Sequence, residues 1–124
     1  MTNKNSNPVQ ELIQNVSLPF TQARAMPKSV YTTKAFLNYE LENIFKKDWF
    51  CVGRSDSLKN VGDYLTLELS GQPIMVLRDN DNKLRAQSNV CRHRMSTLLE
   101  GSGNTRSIVC QYHAWTYGLN GTLR

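Results

Sequence analysis

With 124 residues, of which 40% are hydrophobic, the chain is sized for one compact domain around a single core. Its formal charge is +5, but the Lys and Arg are scattered and no basic stretch interleaves with aromatics, so no nucleic-acid platform is expected. No run approaches the roughly 20 apolar residues that span a bilayer, and there is neither a signal peptide nor a thiol pair suited to a structural disulfide, which predicts a reduced, cytoplasmic setting without membrane contact.

Residues 1–30 are polar, rich in Asn and Gln, with prolines at 8, 19 and 27, and read as an arm holding at most one short helix near Glu11 to Val16. Leu37, Leu41 and Ile44 then recur at helical spacing with Phe45 beside them, while Asn38, Glu42 and Lys46 lie opposite, predicting a lead-in helix over 31–47 that packs on a core. From residue 48 the runs become short and strand-like: Trp49 to Gly53, Tyr64 to Leu69, Ile74 to Leu77 and Leu84 to Val90. Turns fall at Asn60 to Asp63, Ser70-Gly71 and Asp79 to Asn82. Alternation puts Leu65, Leu67 and Leu69 on one face of a half-buried strand. Cys51, inside the first apolar run, reads as a buried free thiol. Gly101-Ser102-Gly103 reads as a flexible link, and Asn120-Gly121 as a two-residue hairpin turn that returns Trp115 to Leu119 on Thr122 to Arg124. Short strands at this spacing predict a mainly β fold, a small antiparallel barrel or sandwich with an N-terminal helix.

Two motif-like stretches carry no site. Asp79-Asn80-Asp81-Asn82 opens like a calcium loop, but Lys83 stands fifth and Leu84 where the loop demands Gly. Gly101-Ser102-Gly103 opens like a dinucleotide fingerprint, but Arg106 occupies the third glycine position and no helix pattern follows.

The chemistry lies elsewhere. Both histidines of the chain and two of its three cysteines form two mixed pairs, Cys91-Arg92-His93 and Cys110-Gln111-Tyr112-His113, with sixteen residues between them. Thiolates and imidazoles are strong ligands for iron and zinc near neutral pH. Two loops that each supply one sulfur and one nitrogen suit a binuclear centre in which one iron takes both thiolates and the other both imidazoles. A single structural zinc is the alternative. It is disfavoured because zinc sites usually pair like with like two to four residues apart, and one residue between Cys91 and His93 is a tight bite for one tetrahedral ion.

The runs N-V-C-R-H-R at 89–94 and C-Q-Y-H-A-W-T-Y-G-L-N-G at 110–121 resemble the Rieske domain of Rieske non-haem iron oxygenase large subunits. Arg94, Trp115 and Thr116-Tyr117-Gly118 belong to the likeness, as do Tyr31 to Arg54 and Gly62 to Arg78 upstream, so it covers about three quarters of the chain. The family often has Pro where Gln111 stands and Gly where Met95 and Ala114 stand, which leaves the backbone of the loops open. The extra cysteine that cytochrome bc-type Rieske proteins carry in each loop is absent.

This resemblance implies one [2Fe-2S] cluster held by Cys91, His93, Cys110 and His113. It implies electrons arriving from a reductase or ferredoxin and leaving for a mononuclear Fe(II), by way of an aspartate of a neighbouring subunit that meets the residue matched by His113. Homo-oligomeric subunits are expected. A facial triad needs two histidines and a carboxylate, and His93 and His113 are already used, so the oxygen-activating iron is expected outside this chain. The expected organisation is an arm, 1–30, a lead-in helix, 31–47, and a Rieske domain, 48–124, cut short at its C-terminus and lacking the catalytic domain. The rival functions are a stand-alone Rieske ferredoxin and a zinc-stabilised binding module.

Overall fold

The computed structural model describes residues 7–124. The chain divides into two compact units, one ending at Trp49 and the other spanning Phe50–Arg124. Among the described residues no helix is long and apolar enough to cross a membrane.

The first unit is helical, more so than its polar composition suggests. α1 (Pro8–Val16) starts where Asn7 accepts a hydrogen bond from the Val9 N–H and Pro8 occupies the first turn. The lead-in helix expected over 31–47 is divided into α2 (Lys28–Thr32), α3 (Lys34–Glu40) and a single π turn over Leu41–Phe45. Thr33 makes the break. Its backbone is extended, and its hydroxyl both donates to the Ser29 carbonyl and accepts from the Phe36 N–H, so one side chain closes α2 and caps α3. Division also changes the buried face. Phe36 is 6% exposed and becomes the anchor, whereas Leu37, on the expected apolar stripe, is 50% exposed. Ser29 donates to Glu11 and ties α2 to α1.

The second unit contains a four-stranded antiparallel sheet in the order β3-β2-β1-β4 and a two-stranded sheet, β5-β6. The strands are β1 (Asp63–Leu69), β2 (Gln72–Arg78), β3 (Leu84–Ser88), β4 (Ser102–Asn104), β5 (Ile108–Val109) and β6 (Thr116–Tyr117). β1 and β2 meet in full register, Tyr64 opposite Leu77 through Leu69 opposite Gln72, joined by Ser70-Gly71 with positive φ at both positions, the twist a tight hairpin requires. β2 and β3 join through Asp79, whose buried carboxylate accepts from the N–H groups of Asp81 and Lys83 and pairs with Arg85. These bonds, the Lys83 N–H first, hold its pKa below the usual carboxylate range.

Five expectations change from Trp49 onward. Trp49 to Gly53 forms no strand, and Cys51 is exposed rather than buried. β1 is half-buried on both faces up to Leu67, so its leucines do not mark one inward side. Gly101 to Gly103 is no flexible link, since Ser102–Asn104 is the edge strand β4 and Gly103 lies under the Tyr64 ring, where a Cβ would come within 3.3 Å. The final hairpin has a three-residue loop: Gly118 pairs with Thr122, Gly121 N–H bonds to the Gly118 carbonyl, and only Gly121 takes a positive φ, +87°. Asn120 keeps an ordinary φ and instead accepts from Thr122. The strand return itself forms as expected, with Tyr117 opposite Leu123.

The core of this unit gathers Met75 and Leu77 from β2 with Cys91, Leu98, Ile108, Cys110, Tyr117 and Leu119, and Tyr64, Leu99 and Trp115 pack against it. Both cysteines of the mixed pairs are therefore core residues.

Candidate metal centre

Two loops with one backbone design carry the four candidate ligands. In the first, Cys91 N–H donates to the Ser96 carbonyl and Met95 N–H to the Cys91 carbonyl, at 2.8 and 2.9 Å. In the second, Cys110 N–H donates to the Trp115 carbonyl and Ala114 N–H to the Cys110 carbonyl, at the same 2.8 and 2.9 Å. Each loop closes through a left-handed residue, Met95 at φ 56° and Ala114 at φ 57°. These are the two positions where the resembling family often has Gly, and the conformation persists without it.

The loops close on their flanks by different means. β5 and β6 form a two-rung ladder beneath the second, Ile108 opposite Tyr117 and Val109 opposite Thr116. Beneath the first there is one bridge, Val90 to Thr97, and below it the buried Asn89 carboxamide both donates to the Leu99 carbonyl and accepts from the Leu99 N–H. Asn89 thereby takes the place of a second rung.

The four side chains are sorted by kind. Cys91 and Cys110 are 1% and 3% exposed and belong to the same buried core cluster. His93 and His113 are exposed, their ring centroids 4.8 Å apart in an edge-to-face arrangement. Among the described residues no three His, Cys, Asp or Glu side chains gather around a single ion; these four fall instead into two thiols buried in one core cluster and two exposed imidazoles in ring contact. That separation matches what a two-iron cluster with S₂ and N₂ ends requires of its protein.

Tyr117 and Trp115 complete the surroundings. The Tyr117 hydroxyl lies 3.3 Å from Cys91 Sγ and accepts from the Arg92 N–H at 3.1 Å. The Tyr117 contact is the main cause that holds the Cys91 thiol below its ordinary pKa, helped by backbone N–H groups of His93 and Arg94 and opposed by burial; the same contact raises Tyr117. A thiol with this neighbour is prepared to serve as thiolate, the form that binds metal. Trp115 stacks on His93, with planes 7° apart. Neither Arg92 nor Arg94, both exposed, joins one of the ion pairs formed among the described residues, and the stretches 91–95 and 110–114 carry no carboxylate.

Sequence reasoning located the four candidate ligands but gave no role to Asn89 or Tyr117. Their signal was positional: Asn89 stands two residues before Cys91, and Tyr117 seven after Cys110 in the Thr-Tyr-Gly run.

Comparison with known proteins points the same way. The model of the Rieske [2Fe-2S] domain matches residues 48–124. The chain is 39% identical over 120 residues to the carnitine monooxygenase oxygenase subunit of Escherichia coli (strain K12), covering 96% of this chain and 32% of that protein. It is 41% identical over 117 residues to the chloroplastic choline monooxygenase of Atriplex hortensis, covering 93% of this chain and 27% of that one. Among solved structures, a quaternary ammonium Rieske monooxygenase in complex with gamma-butyrobetaine aligns with a TM-score of 0.79 at 43% identity, over 82% of this chain and 30% of that one. Naphthalene 1,2-dioxygenase from Rhodococcus sp. aligns with a TM-score of 0.81 at 27% identity, over 94% and 26%. The chain thus spans about a third of the length of the curated relatives it matches, or somewhat less. With the fold, the paired loops and these matches in agreement, the chain belongs to the Rieske [2Fe-2S] domain family, in the form carried by Rieske oxygenases.

Proposed function

We propose that Cys91 and Cys110 hold one iron of a single [2Fe-2S] cluster and His93 and His113 the other, and that the chain passes electrons within a Rieske oxygenase. The observation that carries this reading is the sorting of the four side chains into a buried thiol pair and an exposed imidazole pair on two loops of matching backbone. When bound, such a cluster supplies one-electron transfer at a potential between roughly −150 and +300 mV. The chain's own residues do the rest. The buried cysteines keep water from the sulfur end, and Tyr117 stabilises the thiolate of Cys91. At the other end His93 and His113 keep a ring nitrogen within reach of a partner.

In this reading electrons arrive from a reductase or ferredoxin and leave for a mononuclear iron outside the chain. Both histidines that the chain possesses lie in the cluster loops, so none remains for an oxygen-activating triad. Neighbouring subunits of a homo-oligomer then complete the path. Similarity to carnitine and choline monooxygenases favours a small quaternary ammonium compound as substrate over an aromatic ring. One free, exposed thiol, Cys51, and two cysteines kept as iron ligands agree with a reducing compartment such as the cytoplasm.

Metal and sulfide analysis of the purified chain tests the cluster. Two irons and two acid-labile sulfides per chain, reduced by one electron, are expected; one zinc without sulfide overturns the reading. For the substrate, oxygen uptake by the oxygenase that carries this domain should respond to carnitine or choline and not to naphthalene; the reverse excludes the quaternary ammonium class.

A further inference from the structure

The two histidines differ in what backs them. His113 lies beside Tyr112, centroids 3.9 Å apart with planes tilted by 39°, and Tyr112 is itself exposed. His93 lies flat on Trp115, centroids 4.8 Å and planes 7° apart, and Trp115 is half-buried and packed on the core that includes both cysteines. Among the described residues neither imidazole has a side-chain hydrogen bond. An imidazole is free to turn about its last single bond, where the torsional preference is broad. Metal-bound histidines usually lose that freedom through a hydrogen bond on the second ring nitrogen. Here the flat indole lying against the ring supplies the restraint.

Resting on the cluster assignment above, we infer that Trp115 is a positioning residue for His93: stacked on the imidazole and anchored in the core, it fixes the ring plane of one histidine and leaves the other without comparable backing. The nitrogen lone pair lies in the ring plane, so fixing that plane aims it. The consequence is an asymmetric imidazole pair, one member set by the fold and one adjustable.

The test uses the full chain carrying its cluster, with ¹⁵N-labelled histidine, followed by pulsed electron paramagnetic resonance of the reduced state and by the rate of iron release to a chelator. His113→Cys, which keeps only the His93 nitrogen, assigns the two signals. Trp115→Leu should alter the His93 coupling alone and speed iron release about fivefold, the size expected from an aromatic pair. Trp115→Phe, which keeps a ring in place, should restore both to within about twofold. Tyr112→Leu should leave His93 unchanged. In the unsubstituted chain the His93 signal, assigned through His113→Cys, should be the narrower of the two, a measurement that needs no Trp115 variant and decides the matter if Trp115→Leu does not fold. Unchanged coupling and release in Trp115→Leu, equal changes at both histidines, or equal linewidths in the parent overturn the inference while leaving the cluster assignment intact. Absence of sulfide, or of both nitrogen couplings, in the parent overturns the assignment itself.

Discussion

The loops Cys91–Ser96 and Cys110–Trp115 repeat the same pair of closing hydrogen bonds and the same left-handed residue, yet one sets its histidine two residues after the cysteine and the other three. Their flanks differ too, a single bridge with an asparagine clamp under the first and a two-rung ladder under the second. The backbone of such a loop is therefore set by where its cysteine hydrogen-bonds and where it turns left-handed, not by histidine spacing. Six substitutions, grouped in four tests, probe how far the likeness reaches.

The largest effect is expected where the two loops should answer alike. His113→Cys turns the exposed end toward a three-thiolate set, and with one more negative ligand the potential should fall on the order of a hundred millivolts or more, toward the range of four-cysteine clusters. His93→Cys should do the same within experimental scatter if both imidazoles serve one iron. Voltammetry of the two variants compares them directly, and loss of the cluster in only one would show that the loops hold it unequally.

Asn89→Ala separates the loops by their supports. Removing the carboxamide leaves the Leu99 N–H and carbonyl without their partners, at a cost of about 1–3 kcal/mol, most of it borne by the first loop. Amide exchange should accelerate from Val90 to Leu99 and stay unchanged from Ile108 to Tyr117. Uniform acceleration would mean that the two loops open as one unit.

Tyr117→Phe reaches across the pair, since Tyr117 stands on the second loop's return strand but touches the first loop's cysteine. A hydroxyl donated to a ligand sulfur favours the state with more negative charge there. Its removal should lower the potential by about 30–60 mV, a shift of up to roughly tenfold in the one-electron equilibrium. No change would place the Tyr117 proton on another acceptor.

How much of this was legible in the sequence depends on whether a feature is chemical or conformational. Cys91, His93, Cys110 and His113 could be singled out because few side chains bind iron and these four use every histidine the chain has. The strands of β1 and β2 could be found because a tight turn, Ser70-Gly71, joins two apolar runs. Cys51 was misread because an apolar run becomes a strand only where it finds a pairing partner, and the Gly-rich stretch that looked flexible, not the run around Cys51, supplies β4 beside β1. Tyr64 fits that pairing: its ring lies close over the bare Cα of Gly103. Pairing of distant segments, not local propensity, decided both.

Met95 and Ala114 mark the same limit and offer the finest test of the likeness. Nothing in either residue announces a left-handed backbone, and for L-residues that conformation costs about 1–2 kcal/mol. Closing hydrogen bonds to Cys91 and Cys110 hold both in place. Met95→Gly and Ala114→Gly relieve the strain but loosen the unfolded chain by about 0.4–1 kcal/mol, so each should stabilise by about 0.5–1 kcal/mol in denaturant unfolding. The side chains cannot account for a difference in strain, because Met95 is 76% exposed and Ala114 has only a methyl group. If the loops share one backbone design, the two gains are equal and add in the double variant, the sites having no closing bond in common. A gain at Ala114 with none at Met95 would mean that the first loop, backed by a single bridge and the asparagine clamp, relaxes where the second does not, and the likeness would then hold for the hydrogen-bond pattern but not for its rigidity.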